Sequence, residues 1–451
     1  MVQSYLIKPD LEGVYPKVDY GKGVFLFDVD GNKYLDASSG AITANIGHGV
    51  EEIIEAMYNQ AKKVSFVYRS QFTSEPAERL ANKLSELTKG DLNWSFFVNS
   101  GSEATETAMK IAIQYWQERG VHTKTKVLSR WVSYHGITLG SLSMSGHPGR
   151  RERFVSLLEE FPVINPPYCY RCPYGLAPDT CGLQCAQELD SVIQRIGSKH
   201  IAAFIAEPVI GAAGGAITPP KNYYKEIKEI CEKHDILFIA DEVMTGCGRT
   251  GAMLACEHWG VLPDIVTLGK GMGAGYTAIA ATLVSNQVME PIIKGSKSIM
   301  SGHTLSANPQ ACAVSLAVLE YLEKNNILNK VEEKSSYLRE KLEELQNQYP
   351  FIGDIRGKGL LLGMEFVQDS HSKMPFSRNL QVTQMIIKIA QRNGLILYPA
   401  GAGLDGINGD AVLIAPPLNI TFQELDLLVN LLSKAFREFE EKINKTNGEE
   451  T

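Results

Sequence analysis

Two stretches of this chain close an apolar run on a reactive side chain. Ile236-Leu237-Phe238-Ile239-Ala240 ends in Asp241-Glu242, and Asp264-Ile265-Val266-Thr267-Leu268 ends in the glycine-rich turn Gly269-Lys270-Gly271-Met272-Gly273. Short unbroken apolar runs suit strands buried on both faces, and in open parallel sheets ligands gather outside the carboxyl ends of the strands. Asp241 and Lys270 are therefore expected to face one crevice, although 29 positions separate them. A lysine among glycines is commonly a solvated loop residue. An acid delivered to the same sheet edge changes that: an amine that can add to an aldehyde, beside a carboxylate that can hold a ring nitrogen protonated, is the pair that pyridoxal phosphate chemistry needs.

The words DEVMTGCGRTG and TLGKGMGAGY resemble, in order and spacing, the signature of the class III (omega-type) aminotransferases of pyridoxal-phosphate fold type I, and the resemblance extends over essentially the whole chain. It implies an α/β fold, with a large domain built on a mostly parallel central sheet and a smaller α+β domain. The corresponding division places an N-terminal segment with a hairpin at 1–55, the large cofactor-binding domain at 56–320 and the small C-terminal domain at 321–451. It implies pyridoxal 5'-phosphate held by Lys270 as a Schiff base, with Asp241 on the pyridine nitrogen. Val243 and Tyr134 would then sandwich the ring, His135 would lie beside it, and Glu207 would face the reacting side. A homodimer is implied as well, because the word His303-Thr304-Leu305-Ser306-Ala307-Asn308-Pro309 resembles the segment whose threonine reaches the phosphate of the neighbouring subunit. Thr304 is the residue in question.

The elements that must position these groups can be read locally. Phe96-Phe97-Val98 is strand-like, and Ser100 and Glu103 make a capping box that starts a helix running to about Glu118. The exposed amides of such a helix start, with Ser100, Gly101 and Ser102, make an anion site. Val127-Leu128-Ser129 precedes Tyr134-His135, and Ile201 to Ala206 is a buried strand ending in Glu207. A hairpin is expected from Val24–Phe27 to Lys33–Leu35 around Asp30-Gly31, followed by the loops of Ser38-Ser39-Gly40 and Gly47-His48-Gly49, which in the family line the substrate entrance.

Three positions depart from the family pattern. Ile137 stands where enzymes acting on 4-aminobutyrate or ornithine have arginine, Gly406 where some pyruvate-dependent relatives carry a carboxylate-binding arginine, and Met244 where glutamine is common. A thioether cannot donate a hydrogen bond. For the substrate carboxylate, Arg69, Arg150 and Arg356 remain unranked candidates. The missing marker arginines point to an omega- or beta-amino acid or amine as donor and to pyruvate or 2-oxoglutarate as acceptor.

At 451 residues with 44% apolar composition the chain can build two cores, and its net charge of −7 leaves no general affinity for nucleic acid. The stretch Ile201–Ile217 is broken by Glu207-Pro208, so no membrane span is expected, and the start of the chain lacks a basic-then-apolar signal, which points to the cytoplasm. Four of the eight cysteines, Cys169, Cys172, Cys181 and Cys185, fall within 17 residues. The first pair has zinc-ligand spacing, but reduced thiols without metal are the expectation, and a zinc-organised scaffold is the non-enzymatic alternative. A dinucleotide fingerprint at Gly269-x-Gly271 fails, because a strand rather than a helix follows. Aminomutases, racemases and decarboxylases of the same fold share the lysine and aspartate and stay open as alternatives to amino transfer.

Overall fold

The computed structural model describes residues 5–449. Among them the largest sheet has seven strands, in the spatial order Trp94–Val98, Ala280–Val284, Ile265–Leu268, Leu237–Asp241, Ile201–Ala206, Lys126–Arg130 and Val163–Ile164. Ala280–Val284 runs against both its neighbours, and the pairings from Ile265–Leu268 across to Val163–Ile164 are all parallel. Trp94–Val98, antiparallel to the one reversed strand, points the same way as the rest. Six strands thus present their carboxyl ends along one edge.

The three central strands are buried at every position. Because side chains alternate across a strand, each apolar run feeds two cores. Ala203, Ile205, Leu237, Ile239 and Ile265 pack with Ala108, Ile111 and Trp116 of the helix Gly101–Glu118. Phe204, Phe238, Ala240 and Val266 pack on the other side with Leu189 and Ile227 of the helices Gln184–Ile196 and Tyr223–Lys233. There Phe238 stacks on Phe204 and Tyr224 at ring separations of 6.3 and 5.8 Å.

An antiparallel sheet joins Ile352–Lys358, Leu361–Phe366, Asp410–Ile414 and Tyr398–Gly401. A third sheet carries the expected hairpin as Phe25–Asp28 and Lys33–Asp36, its turn closed by Asp28 accepting from Asp30 N, Asn32 N and Tyr34 Oη. It also holds a strand the sequence did not announce, Val18–Lys22, which is polar and almost wholly exposed. Its fourth strand, Leu395–Ile396, pairs in parallel with Lys33–Asp36 and so ties the start of the chain to its C-terminal part. Arg249 braces the same junction from inside. Its buried guanidinium donates to the carbonyls of Leu360 and Pro416, to Ser39 Oγ and to Asn45 Oδ1. No helix among the described residues is long and apolar enough to cross a membrane.

Candidate active site

Five strand ends converge on one cavity of about 200 Å³. The strand Trp94–Val98 leads to Gly101 and Ser102, Lys126–Arg130 to Tyr134 and His135, Ile201–Ala206 to Glu207, Leu237–Asp241 to Asp241 and Val243, and Ile265–Leu268 to Lys270, and all eight residues line the cavity. Ser100 and Thr304 do not. Ser100 is the exposed N-cap of the helix Gly101–Glu118, and its Oγ accepts from Glu103 N at 3.3 Å. The reciprocal arm of the expected capping box is displaced by one residue, since the Glu103 carboxylate accepts from the backbone N and the Nδ2 of Asn99 rather than from Ser100. Thr304 lies exposed in a surface turn.

Asp241 is buried, and its neighbours fix both oxygens. Oδ2 lies 2.7 Å from His135 Nδ1, while Oδ1 accepts from Thr267 Oγ1 at 3.0 Å and from Val243 N at 3.1 Å. The adjacent acid turns away, as strand alternation demands. Glu242 accepts from Ala255 N and Cys256 N, and burial pushes its carboxyl up to about 7. Glu207 is also buried, held not by a cation but by two amides, Tyr134 N and Gly211 N, each at 2.9 Å. Burial raises its carboxyl above the usual range, and the nearby His135 opposes the rise.

Lys270 takes a left-handed backbone angle, φ +42°, a conformation that costs a side-chain-bearing residue about 1–2 kcal/mol and that marks functional turns. Burial pulls its amine down to about 8, against the upward pull of Glu207 and Asp241 and with a further lowering from Arg150 and Arg249. An amine with that affinity for protons can both give and take one near neutrality.

Two close approaches shape the wall. A Cβ on Gly101 would stand 2.9 Å from Val243 Cγ1, and one on Gly136 would stand 2.5 Å from Ser102 Oγ, so neither position tolerates a side chain beside the helix start. The donor set fits pyridoxal 5'-phosphate. The buried amine suits its aldehyde, the oriented carboxylate suits its ring nitrogen, the Tyr134 ring and Val243 suit its two faces, and the helix start suits its phosphate.

The cavity also takes in Gly136, His147, Arg150, Ala212, Ala213, Met244 and Tyr398. Of these, His147, Tyr398 and the two alanines carried no local signal in the sequence, because loops from distant parts of the chain bring them in. Two arginine candidates fall away. Arg356 is partly buried and already bound to Asp354, Glu365 and the Gly214 carbonyl, and Arg69 donates to the Ser301 carbonyl with its guanidinium over Phe96. His48 pairs with Asp36 at 3.5 Å and is not part of the cavity lining. Cys169, Cys172, Cys181 and Cys185 line a separate cavity of about 20 Å³, and all eight cysteines are unpaired. Among the described residues no group of three or more His, Cys, Asp or Glu side chains is placed to hold a metal ion.

A sheet-edge lysine and a braced carboxylate facing a helix start define a pyridoxal-phosphate enzyme of fold type I. The family model described as aminotransferase class-III matches residues 11–436, and the chain belongs to that family. The uncharacterized aminotransferase YodT of Bacillus subtilis (strain 168) is 54% identical over 98% of this chain and 100% of its own length. The putrescine–pyruvate aminotransferase of Pseudomonas aeruginosa is 34% identical over 92% of this chain and 88% of its own. The crystal structure of an amine transaminase from an uncultivated Pseudomonas species, in its pyridoxal-phosphate-bound form, aligns with a TM-score of 0.91 at 32% identity, covering 97% of this chain and 99% of that one. The protein is a pyridoxal-phosphate-dependent aminotransferase.

Proposed function

We propose that this enzyme moves an amino group from an omega- or beta-amino acid or amine to pyruvate or 2-oxoglutarate, with Lys270, Asp241 and Glu207 as its catalytic residues. The observation that carries the assignment is the convergence of the Lys270 amine and the His135-braced Asp241 carboxylate on one cavity. When bound, the cofactor supplies the aldehyde that receives the amine and the ring that accepts electrons. Lys270 Nζ takes the proton from the substrate carbon and returns it on the far side of the transfer, a positioned proton movement worth roughly 10²–10⁴-fold. Asp241, oriented by His135, Thr267 and the Val243 amide, would hold the ring nitrogen of the bound cofactor. Gly101, Ser102 and the Ser100-capped helix start would hold the phosphate of the bound cofactor, while Tyr134 and Val243 would wall its ring and exclude water from it. Glu207, at the cavity wall on two amides, sets the polarity of the substrate side.

The donor class is supported by the absence of both marker arginines, at Ile137 and Gly406, and by the similarity to an enzyme named for putrescine and pyruvate. A homodimer with active sites at its interface, completed by Thr304 of the neighbouring protomer, belongs to the same proposal. Its support is the exposed apolar side chains beside that residue in the chain, Met300 and Leu305, which are 78% and 50% exposed. The division at residues 1–55, 56–320 and 321–451 and a cytoplasmic setting complete it, the latter supported by eight unpaired cysteines.

The test is the visible absorption spectrum of the purified holoenzyme, taken with a panel of amino donors and then with keto acids. A cofactor band that bleaches with a donor and returns with pyruvate or 2-oxoglutarate is expected. A band that bleaches with none of the omega- or beta-amino acids or amines would overturn the donor assignment.

A further inference from the structure

The acids that line the cavity are held by hydrogen-bond donors, but the guanidinium of its arginine is tied to no acid among the described residues. Asp241 is tied to His135, Thr267 and the Val243 amide, and Glu207 to two backbone amides. Arg150, the one arginine among the described lining residues, is exposed; its backbone N donates to the His147 carbonyl at 3.2 Å, while its guanidinium makes no hydrogen bond or ion pair with any described residue. Its guanidinium lies over the Tyr134 ring, 4.8 Å from the centroid. A guanidinium stacked on an aromatic face keeps its donor edge free, and that edge matches a carboxylate with two parallel hydrogen bonds.

The backbone that carries Arg150 is firmly placed. It belongs to the short helix Pro148–Arg151, whose last residue, Arg151, donates through Nη1 to the carbonyls of Leu142, Ser143 and Ser145 at 2.9, 3.2 and 2.8 Å. On its other side lies the loop of Gly406. A Cβ built on Gly406 would stand 3.1 Å from Pro148 Cδ, so that loop packs against the base of the Arg150 turn through a residue without a side chain. Arg150 and Lys270 line the same cavity.

Resting on the function proposed above, we infer that Arg150 is the substrate-carboxylate anchor. Donors that carry a carboxylate, with the amine at Lys270 and the carboxylate at Arg150, are then preferred over simple amines of the same length. The keto acid acceptor uses the same guanidinium in the second half of the cycle. One arginine therefore serves both half-reactions.

The experiment follows the donor half-reaction alone, by loss of the cofactor's visible band in the holoenzyme without keto acid. β-Alanine and 6-aminohexanoate are compared with propylamine and hexylamine in the wild type, Arg150→Gln and Arg150→Lys. The ratio of kcat/KM for the carboxylated donors to that for the amines is expected to fall about 10- to 100-fold in Arg150→Gln, mostly through KM, and to recover in part in Arg150→Lys. A ratio unchanged within about twofold in Arg150→Gln, or a wild type that prefers the plain amines, overturns the inference while leaving amino transfer standing. A wild-type band that none of the four donors bleaches overturns the donor class itself, and this inference with it.

Discussion

His135 Nδ1 stands 2.7 Å from Asp241 Oδ2, with side-chain exposures of 0% and 4%, and the ring's far nitrogen, Nε2, is buried with no hydrogen-bond partner. The histidine's polar work is thus directed at Asp241. Its backbone is held in turn, since His135 N donates to Ser145 Oγ and its carbonyl accepts from Thr105 Oγ1. It acts as a positioning residue for the acid, and the geometry separates its contribution from that of Asp241.

On the function proposed above, Asp241→Asn removes the charge that would hold a ring nitrogen protonated, and His135→Phe removes only the brace. Hydrogen bonds to charged groups are worth about 1.5–3 kcal/mol, so His135→Phe should lower kcat/KM by about 10- to 150-fold. Asp241→Asn should lower it further, with KM changing less than kcat. Steady-state kinetics on both variants check this, and an unimpaired Asp241→Asn enzyme would remove that residue from the site.

Lys270→Ala should cut turnover by at least about 10²–10⁴-fold, the usual share of positioned proton transfer, while cofactor still binds weakly at the helix start. The pH dependence follows from burial, which depresses the amine to about 8. The protonated form is the disfavoured one in the folded chain, so the free base predominates above about pH 8 rather than only above about 10.4 as in model peptides. The rate at which cofactor-free enzyme captures added pyridoxal 5'-phosphate should therefore climb through pH 8 and level off by about pH 9. Stopped-flow absorbance reads that profile, and a rise continuing to pH 10 would contradict it.

Arg249→Met should destabilise the fold. The change leaves the buried carbonyls of Leu360 and Pro416 without their donor, and each unsatisfied group costs about 1–3 kcal/mol. A loss of about 3 kcal/mol or more in denaturant unfolding of the cofactor-free protein is expected. Equal stability would show that the junction between the chain's start and its C-terminal sheet is held by other contacts.

Leu305→Asp together with Met300→Asp places two charges on the apolar surface beside Thr304, whose residues at 300 and 305 are 78% and 50% exposed. If that surface is the dimer interface, light scattering should report the mass of a single chain, and cofactor affinity should fall as Thr304 is withdrawn. A double variant with the wild-type mass and affinity would place the interface elsewhere.

The amino-acid sequence by itself determined the sheet and the strand ends that bring Asp241, Glu207 and Lys270 to one cavity. Runs such as Ile201–Ala206 and Leu237–Asp241 show no polar alternation because both faces are buried, and that burial is legible without coordinates. Asp241, Glu207 and Lys270 were legible for the same reason, since each stands at or just beyond the end of such a run. The cap at Ser100 is local and could be read over four residues, although its return bond goes to Asn99. What only the tertiary structure decided is where loops meet. The strand Val18–Lys22 gave no signal because its solvent-facing side chains follow no burial pattern, and Tyr398 enters the cavity from the small antiparallel sheet. Likewise, Arg69, Arg150 and Arg356 are equivalent as letters. Packing separates them by setting Arg356 against Glu365, Arg69 against Ser301, and Arg150 free beside Tyr134, and a sequence cannot state which buried acids are already paired.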